Sequence, residues 1–585
     1  MKTVALLSGG KDSVMSVLMA IRHGHTPVVI ANMAPEKEVH EVDSYMYQTV
    51  GHEAIEDLAR CLELPLRRST VVRGQAKDQT LLYTDTPPAD DEVEALYRLL
   101  KTILAEFPEV RGVTSGAILS NYQRNRVECV CRRLGLVSLA YLWHQKAEDV
   151  LDMAEVLRVR AIIVKTASIG LDPQAILGKT LVEARPALEK VAIEYGTHMA
   201  GEGGEFETLV LDCPLFKTHC LRVKEQRLVM VDSNAYAPSA HLVLRVEQVE
   251  KTEEERRADA ELLRKLLNGE ISFPSDRTTF MTRVVEGVLP AWHHSEPTTI
   301  THSPRVDSGV DMYGSKSCSQ LVLTSSIILT TNEEVECAVH EVLERIRALL
   351  GDDQALVHVV AYLPNLTEFE SAFRAAYEVA ISPIGPPCLT ILGISREVST
   401  SLWMEVMAIP KPSSGAQTLS RDVLHAQSRS SWAAGSAGPY AQACRVTWRD
   451  GSSRVMTSAA LGLVPESWEL AEASDLVENF PDNFGARAMT TVTKTFIAQF
   501  VYAVWNIIGY GAVYRKNLRM CTHVTVYVCT TVVDMVDVAT LVPALWVCCS
   551  EEEWKKVTGR ILTVETLPRN AMVQISVELC DEAVV

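Results

Sequence analysis

Two stretches of this sequence carry side chains that could do chemistry. Near the start, Ser8-Gly9-Gly10-Lys11-Asp12-Ser13 brings two glycines, two hydroxyls, an ammonium and a carboxylate into six residues. A short apolar run, residues 3–7, precedes it, and residues 11–22 have helical periodicity, so the loop sits where a strand turns into a helix. Glycines let the backbone approach a ligand closely. A helix N-terminus presents free N–H groups and the positive end of its dipole. Ser8 and Ser13 add hydroxyl donors and Lys11 a mobile cation, which makes this an anion site suited to phosphate or pyrophosphate. It is not a Walker A loop, because the required first glycine falls on Ala5. Gly178-Lys179-Thr180 fails the same test at Pro173. The second stretch, residues 201–207, sets Glu202, Glu205 and Glu207 among Gly201, Gly203 and Gly204. It reads either as a solvated acidic turn or as a flexible loop that contacts a cation.

Positioning these loops requires a framework. At 585 residues the chain has room for about three to five domains. Apolar residues at 47% and charged residues at 22% are ordinary globular values, so disorder is excluded. The net charge of −18 argues against a large nucleic-acid footprint, though a local basic pocket stays open. Fourteen cysteines contain no C-x-x-C pair, which fits buried reduced thiols in an intracellular protein. The first apolar run is too short for a secretory signal. Residues 495–514 carry no formal charge but include Gln499, Asn506, Gly509 and Gly511, so they read as a buried helix followed by a glycine turn rather than a membrane span. A cytoplasmic location follows as the expectation. His23/His25 and His293/His294 lack companions at metal-ligand spacing.

The first part alternates strands (3–7, 27–33, 111–118, 161–164) with helices (11–22, 55–61), which predicts a parallel α/β sheet with ligand sites at the carboxyl ends of its strands. Residues 252–267 form a charged helix, a solvated bridge between domains. Residues 290–304 and 410–431 read as linkers or low-order stretches. Thr324-Ser325-Ser326 ends a strand before a helix at 333–350 and a strand at 358–362. Thr457-Ser458-Ala459 lies 133 residues later, before a helix near 491–507 and a strand at 523–528. This predicts a duplicated α+β unit with antiparallel strands.

The order S-G-G-K-D-S after a first strand resembles the PP-loop of adenine nucleotide alpha hydrolases, which cleave ATP between its α and β phosphates. The resemblance implies that Ser8, Gly9, Gly10, Lys11, Asp12 and Ser13 hold the phosphates, that Asp12 helps to place Mg²⁺, and that Asn32 and Met33 lie beside the adenine. Further motifs narrow the family. They are Ser44-Tyr45-Met46-Tyr47-Gln48-Thr49-Val50-Gly51-His52, then Gly116-Ala117-Ile118-Leu119-Ser120-Asn121-Tyr122-Gln123-Arg124-Asn125-Arg126-Val127-Glu128, then Leu139-Ala140-Tyr141-Leu142-Trp143, then Gly170-Leu171-Asp172 with Leu177-Gly178-Lys179-Thr180-Leu181, and last Gly201 to Thr208. In this order, over about residues 1–217, the series resembles the diphthine–ammonia ligase family.

That resemblance implies an ATP-dependent ligase acting on diphthine, a modified histidine of translation elongation factor 2. The diphthine carboxylate would attack the α phosphate and release pyrophosphate, and ammonia, drawn from free ammonium, would then attack the acyl-adenylate to give diphthamide and AMP. Lys11, Asp12, Glu202 and Glu205 would be catalytic. ATP would lie on the PP-loop, Asn32, Met33, Gly116 and Ala117, and the substrate on Tyr45, Gln48, His52, Tyr122, Gln123, Arg126, Glu128, Gly203, Gly204 and Glu207. Some of these have simpler readings: Tyr122, Gln123, Arg126 and Glu128 as residues in local contacts such as an i,i+4 Arg124–Glu128 salt bridge, and His52 as a locally packed helix-start histidine. The acidic loop would meet a trimethylammonium, an ammonium or Mg²⁺.

Gly438-Pro439-Tyr440-Ala441-Gln442-Ala443 and Val564-Glu565-Thr566-Leu567-Pro568 resemble the Rid (YjgF) family, with a weaker copy at 301–409. The arginine by which Rid enzymes hold a carboxylate falls on Thr566 and, in the first copy, on Ser395. Deamination is therefore in doubt, and assembly or docking, including a homo-oligomer, is the expected role. The whole is an α/β protein. It has a PP-loop (HUP-like) parallel-sheet domain at 1–235, a helical or linker segment at 236–300, Rid-like (chorismate-mutase-like) α+β domains at 301–410 and 431–585, and a linker at 411–430. The expected partners are elongation factor 2 and ammonium, with neither nucleic acid nor membrane. The competing readings are a tRNA-modifying PP-loop enzyme and a Rid-type deaminase or binding protein.

Overall fold

The computed structural model describes the chain except residues 36–45, 49, 72–80, 82, 84–86, 235, 274–275, 295–296, 303–312, 315–320, 329–331, 351–353, 396–400, 411–417, 477–482, 485–486, 534, 553 and 582–585. It divides into two compact units. Unit 1 is Met1–Pro274 with Ser428–Trp432, and unit 2 is Ser275–Gln427 with Ala433–Val585.

Unit 1 is built on five strands: β1 (Lys2–Leu6), β2 (Thr26–Pro35), β3 (Leu66–Val71), β4 (Val110–Thr114) and β5 (Val137–Leu139). They pair in the order β3-β2-β1-β4-β5, all parallel. The crossovers carry α1 (Lys11–Arg22), α2 (Ile55–Leu62), α3 (Glu92–Glu106) and α4 (Asn121–Arg133). Successive side chains of a strand face opposite sides of the sheet. Accordingly Val4, Val29, Ala31 and Met33 enter one core with α3, while Ala5, Leu7 and Ile30 enter the other with α1 and α2. Burial on both faces explains why these strands read as continuous apolar runs. The strand expected over 111–118 stops at Thr114, and the rest is loop and the approach to α4.

The run 161–164 belongs elsewhere. After α5 (Ala147–Val156), β6 (Arg160–Ala167) is followed by α6 (Pro173–Ile176), α7 (Leu181–Tyr195), β7 (Phe206–Asp212), β8 (His219–Asp232) and β9 (Ser239–Glu250). These strands form an antiparallel sheet, β7-β6-β9-β8, separate from the parallel one. A four-residue apolar run does not encode strand direction, so alternation alone misassigned it. The charged helix, α8 (Glu253–Leu267), opens on a Thr252/Glu255 capping box. It buries Leu266 and Asp259 within unit 1 instead of standing in solvent between domains. Asp259 and Asp212 both lie 2.7 Å from the ammonium of Lys251, which is 2% exposed.

In unit 2 the expected duplication is present in the strand pairing itself. Leu321–Ile328, Ser401–Pro410, Gln354–Pro364 and Cys388–Ile394 are neighbours in that order, and the helices Asn332–Leu350 and Leu366–Ala380 fall between strands along the chain. Ser453–Thr457, Val573–Cys580, Cys521–Cys529 and Thr558–Val564 repeat the arrangement, with Thr491–Val513 and Val538–Ser550 as the helices. Each copy has two antiparallel pairings and then one parallel one, so the strands are not antiparallel throughout.

Three further expectations are corrected. The helix Thr491–Val513 runs through Gly509 and Gly511 rather than ending in a glycine turn; a side chain at 511 would meet Leu579 and the Lys516 carbonyl at 3.0 Å. It is long and apolar enough to cross a membrane, but 78% of its apolar window is buried. The stretch 290–304 includes the end of the helix Asp276–His294 and the strand Ile300–His302. That helix packs on Val538–Ser550, where a Cβ on Gly287 would lie 3.3 Å from Cys548 Sγ, a contact that local composition cannot show. The stretch 410–431 includes the strand Thr418–Leu424, paired with Ala443–Trp448.

Removing one partner of a buried ion pair strands the other charges. Lys251→Ala should therefore cost about 3 kcal/mol in urea unfolding of the chain. Acid should also destabilise it. Burial pushes the imidazoles of His25 and His144 from about 6.5 down to about 4. Between those values the unfolded chain binds protons that the folded chain does not, so stability falls as pH drops. The melting temperature should decline from pH 7 to 5.5, and decline less in a His25→Gln/His144→Gln double variant.

Candidate functional site

The strands β1 and β4 are adjacent, and their crossovers leave in opposite directions along the sheet. Ligands of parallel sheets bind at such a switch point, outside the strands' carboxyl ends. A cavity of about 420 Å³ lies there. The loop after β1, residues 8–10, forms its floor. Gly9 takes φ +92°, a conformation that suits glycine, and Gly10 caps α1 without a side chain. The free end of α1 is held from the other sheet: the Lys11 amide donates to Thr208 Oγ1 at 3.0 Å, and the Val210 amide to the Gly9 carbonyl at 2.8 Å. Ser13 Oγ donates to the Gly10 carbonyl at 2.8 Å, and the Ser8 amide to Ser13 Oγ at 3.3 Å. Gln48 Nε2 donates to the Thr208 carbonyl at 2.9 Å.

Charge is concentrated on this floor. The Lys11 ammonium donates to Asp12 Oδ2 at 2.8 Å and to the Ala200 carbonyl at 2.5 Å, and lies 5.4 Å from the Phe206 ring centre. The other Asp12 oxygen, Oδ1, is buried with no hydrogen-bond partner among the described residues. An orphaned carboxylate oxygen facing a phosphate-type loop suits a hard divalent cation such as Mg²⁺. Glu202 Oε1 accepts from the amides of Ile118, Leu119 and Ser120 at 3.1, 2.9 and 3.0 Å, so it caps the approach to α4. Burial raises its pKa, the nearby Asp12 adds to the rise, and the three amides oppose both.

The structure gathers most of the candidates. Ser8, Lys11, Asp12, Ser13, Asn32, Met33, Gln48, Gly116, Ala117, Gln123, Glu202, Gly203, Gly204 and Glu207 line the cavity. Gly9 and Gly10 shape the loop beneath it. Asn32 is fixed by the Leu7 carbonyl at 2.8 Å and by Arg68 Nε at 2.9 Å. A Cβ on Gly116 would lie 2.8–3.0 Å from the backbone of Asp12 and Ser13, so this glycine lets β4 and α1 approach. Other candidates lie outside the lining. His52 sits beside Glu53 at 3.6 Å. The Arg126 guanidinium stacks 3.3 Å above the Tyr122 ring and is buried. Glu128 Oε2 accepts from Arg124 at 2.6 Å, the i,i+4 pair, with both side chains buried. Glu205 accepts from the His198 amide at 2.7 Å, and its second oxygen is buried without a hydrogen-bond partner among the described residues. Tyr45 lies outside the described residues. Thr208 closes the last motif but carried no expected role, Ser115 adjoins the motif that begins at Gly116, and nothing in the sequence ties Arg68 to Asn32.

The chain matches two family models, the diphthamide synthase N-terminal domain over residues 1–138 and its C-terminal domain over 146–239. A mouse diphthine–ammonia ligase is 49% identical over 247 residues, 42% of this chain and 91% of the relative. A fission yeast diphthine–ammonia ligase is 34% identical over 477 residues, 80% of this chain and 74% of the relative. Among solved structures, RidA from an Antarctic Psychrobacter is 18% identical over 26% of this chain and 94% of its own, with a TM-score of 0.18, too low to carry an argument.

Gly116→Ala should push β4 away from α1. The expected result is at least a tenfold weaker affinity of the cavity for adenine nucleotide in calorimetry, with the melting temperature lowered by only a few degrees.

Proposed function

Since this chain belongs to the diphthine–ammonia ligase family, we propose that its unit 1 cavity amidates the diphthine carboxylate of translation elongation factor 2, the last step of diphthamide formation. The observation that carries this reading is the pairing of a buried Lys11 ammonium with an orphaned Asp12 oxygen over a glycine turn at the sheet's switch point. A carboxylate resists amidation because oxide is a poor leaving group, and transfer of AMP to it solves that problem. In this reading Ser8, Gly10 and Ser13 cradle the β and γ phosphates of ATP. Lys11 gives up its contact with Asp12 to meet the charge growing on pyrophosphate. Asp12 holds Mg²⁺, which supplies further charge neutralisation there. Asn32 and Met33 stand at the end of β2 for the adenine. Gln48, Gln123, Gly203, Gly204 and Glu207 face the other part of the cavity, where the diphthine carboxylate becomes the acyl-adenylate and ammonia attacks it. Glu202 and Glu207 supply negative charge for the trimethylammonium.

The second unit is read as a docking and assembly module. Thr566 bridges Gly393 through backbone bonds, and at this position it offers a hydroxyl where a carboxylate-holding arginine would be needed. We place the enzyme in the cytoplasm with its elongation-factor substrate, possessing no stable nucleic-acid partner and able to self-associate through unit 2.

The test is product analysis with purified protein. AMP and pyrophosphate should form only when diphthine-bearing elongation factor 2 and ammonium are both present, and Lys11→Ala should lower kcat at least 100-fold. Formation of ADP, or RNA-dependent pyrophosphate release, would overturn the assignment. Mass spectrometry of elongation factor 2 from cells lacking the protein should show accumulated diphthine.

A further inference from the structure

Five residues from far downstream, Ser428–Trp432, are built into unit 1. The Arg429 amide donates to the Ser138 carbonyl at 2.9 Å, and the Ala140 amide donates to the Arg429 carbonyl at 2.8 Å. Arg429 thus pairs in parallel with Leu139 of β5, the last strand of the sheet. An unpaired edge strand leaves its N–H and C=O groups open, and this segment satisfies them. Ser428 anchors it: its amide and hydroxyl both donate to Glu128 Oε1, at 2.8 and 2.6 Å, and its hydroxyl oxygen lies 2.9 Å from Ser138 Oγ, from which it can accept. These bonds and the Arg124 pair account for a buried carboxylate that lies outside the cavity lining.

The segment ends on Trp432. Its ring stacks on His144 with centroids 4.6 Å apart, and it packs against a small core of Ala117, Ala140 and Trp143. Each of these contacts leads back to the cavity. Ala117 lines it. The His144 amide donates to the Ile118 carbonyl at 2.8 Å, and the Ile118 amide is one of the three that hold Glu202. On its other side the loop is pressed against α1, where Gly116 has no room for a side chain. Residues 115–120 are therefore clamped between the phosphate loop and an indole from the downstream segment.

We propose that Trp432 is a positioning residue for the ligase site: it fixes the β4–α4 loop that forms one wall of the nucleotide cavity, so the downstream segment is an integral part of the catalytic unit. The proposal rests on reading the cavity as the ATP site. A buttressing residue does not touch the substrate, yet a small displacement of a binding wall is costly, and about 1 Å of misplacement can cost 100-fold.

The experiment uses the full chain. Trp432→Ala should raise KM for ATP about tenfold, and Trp432→Phe, which keeps an aromatic ring against His144, should restore it to within about threefold of the parent. Unchanged KM in Trp432→Ala, or a fall in kcat alone that matches a loss of folded protein, overturns the proposal. Amide hydrogen exchange on the unmodified chain decides the matter even if the alanine variant misfolds. The Arg429 and Ala140 amides should be protected at least 100-fold over exposed loop amides, and exchange at the exposed rate refutes the clamp. Lys11→Ala in the same assay separates the two readings. If it too leaves KM for ATP and kcat untouched, the nucleotide site itself is misassigned. If only Trp432→Ala is silent, the positioning role fails alone.

Discussion

The first turn of α1 is the point on which unit 1 depends. A helix start leaves backbone donors without partners, and here they must be held firmly yet remain available to a ligand. Gly9 and Gly10 carry no side chain over them. Thr208 and Val210, from a strand of the second sheet, take up the Lys11 amide and the Gly9 carbonyl. Gly116 lets the next strand come within van der Waals distance on the other side. The two sheets of unit 1 are thus joined through the loop that the chemistry needs. This explains why a parallel sheet is followed by an antiparallel one: β7 returns along the floor of the cavity and carries the acidic loop with it.

Electrostatics in the cavity is arranged for exchange of partners. Lys11 is satisfied by Asp12, by the Ala200 carbonyl and by the face of Phe206, so an ammonium can be kept buried without bound phosphate. Asp12 keeps one oxygen without a partner, and Glu202 lies on three amides while burial and Asp12 push its pKa upward.

Unit 2 shows how duplication can persist after sequence likeness has faded. Both copies pair their strands in the same order with the same directions. Hydrophobic pattern and strand pairing hold such a fold together, and neither requires the side chains that would make a catalytic site.

The sequence by itself determined many local elements and the place of the glycine loop. The helices expected over 11–22 and 55–61, the strand expected over 523–528 and the strand-to-helix turn at 8–13 were legible because hydrophobic period and glycine pairs act over a few positions. Tertiary structure alone decided the direction of β6, the continuation of a helix through Gly509 and Gly511, and the grip of Thr208 on α1. It also decided that Arg126 and Glu128 lie outside the cavity lining, and that Ser428–Trp432 belong to unit 1. These facts depend on pairing across long chain separations, where one short apolar or polar run is compatible with many partners. Only the closing of the whole core selects among them.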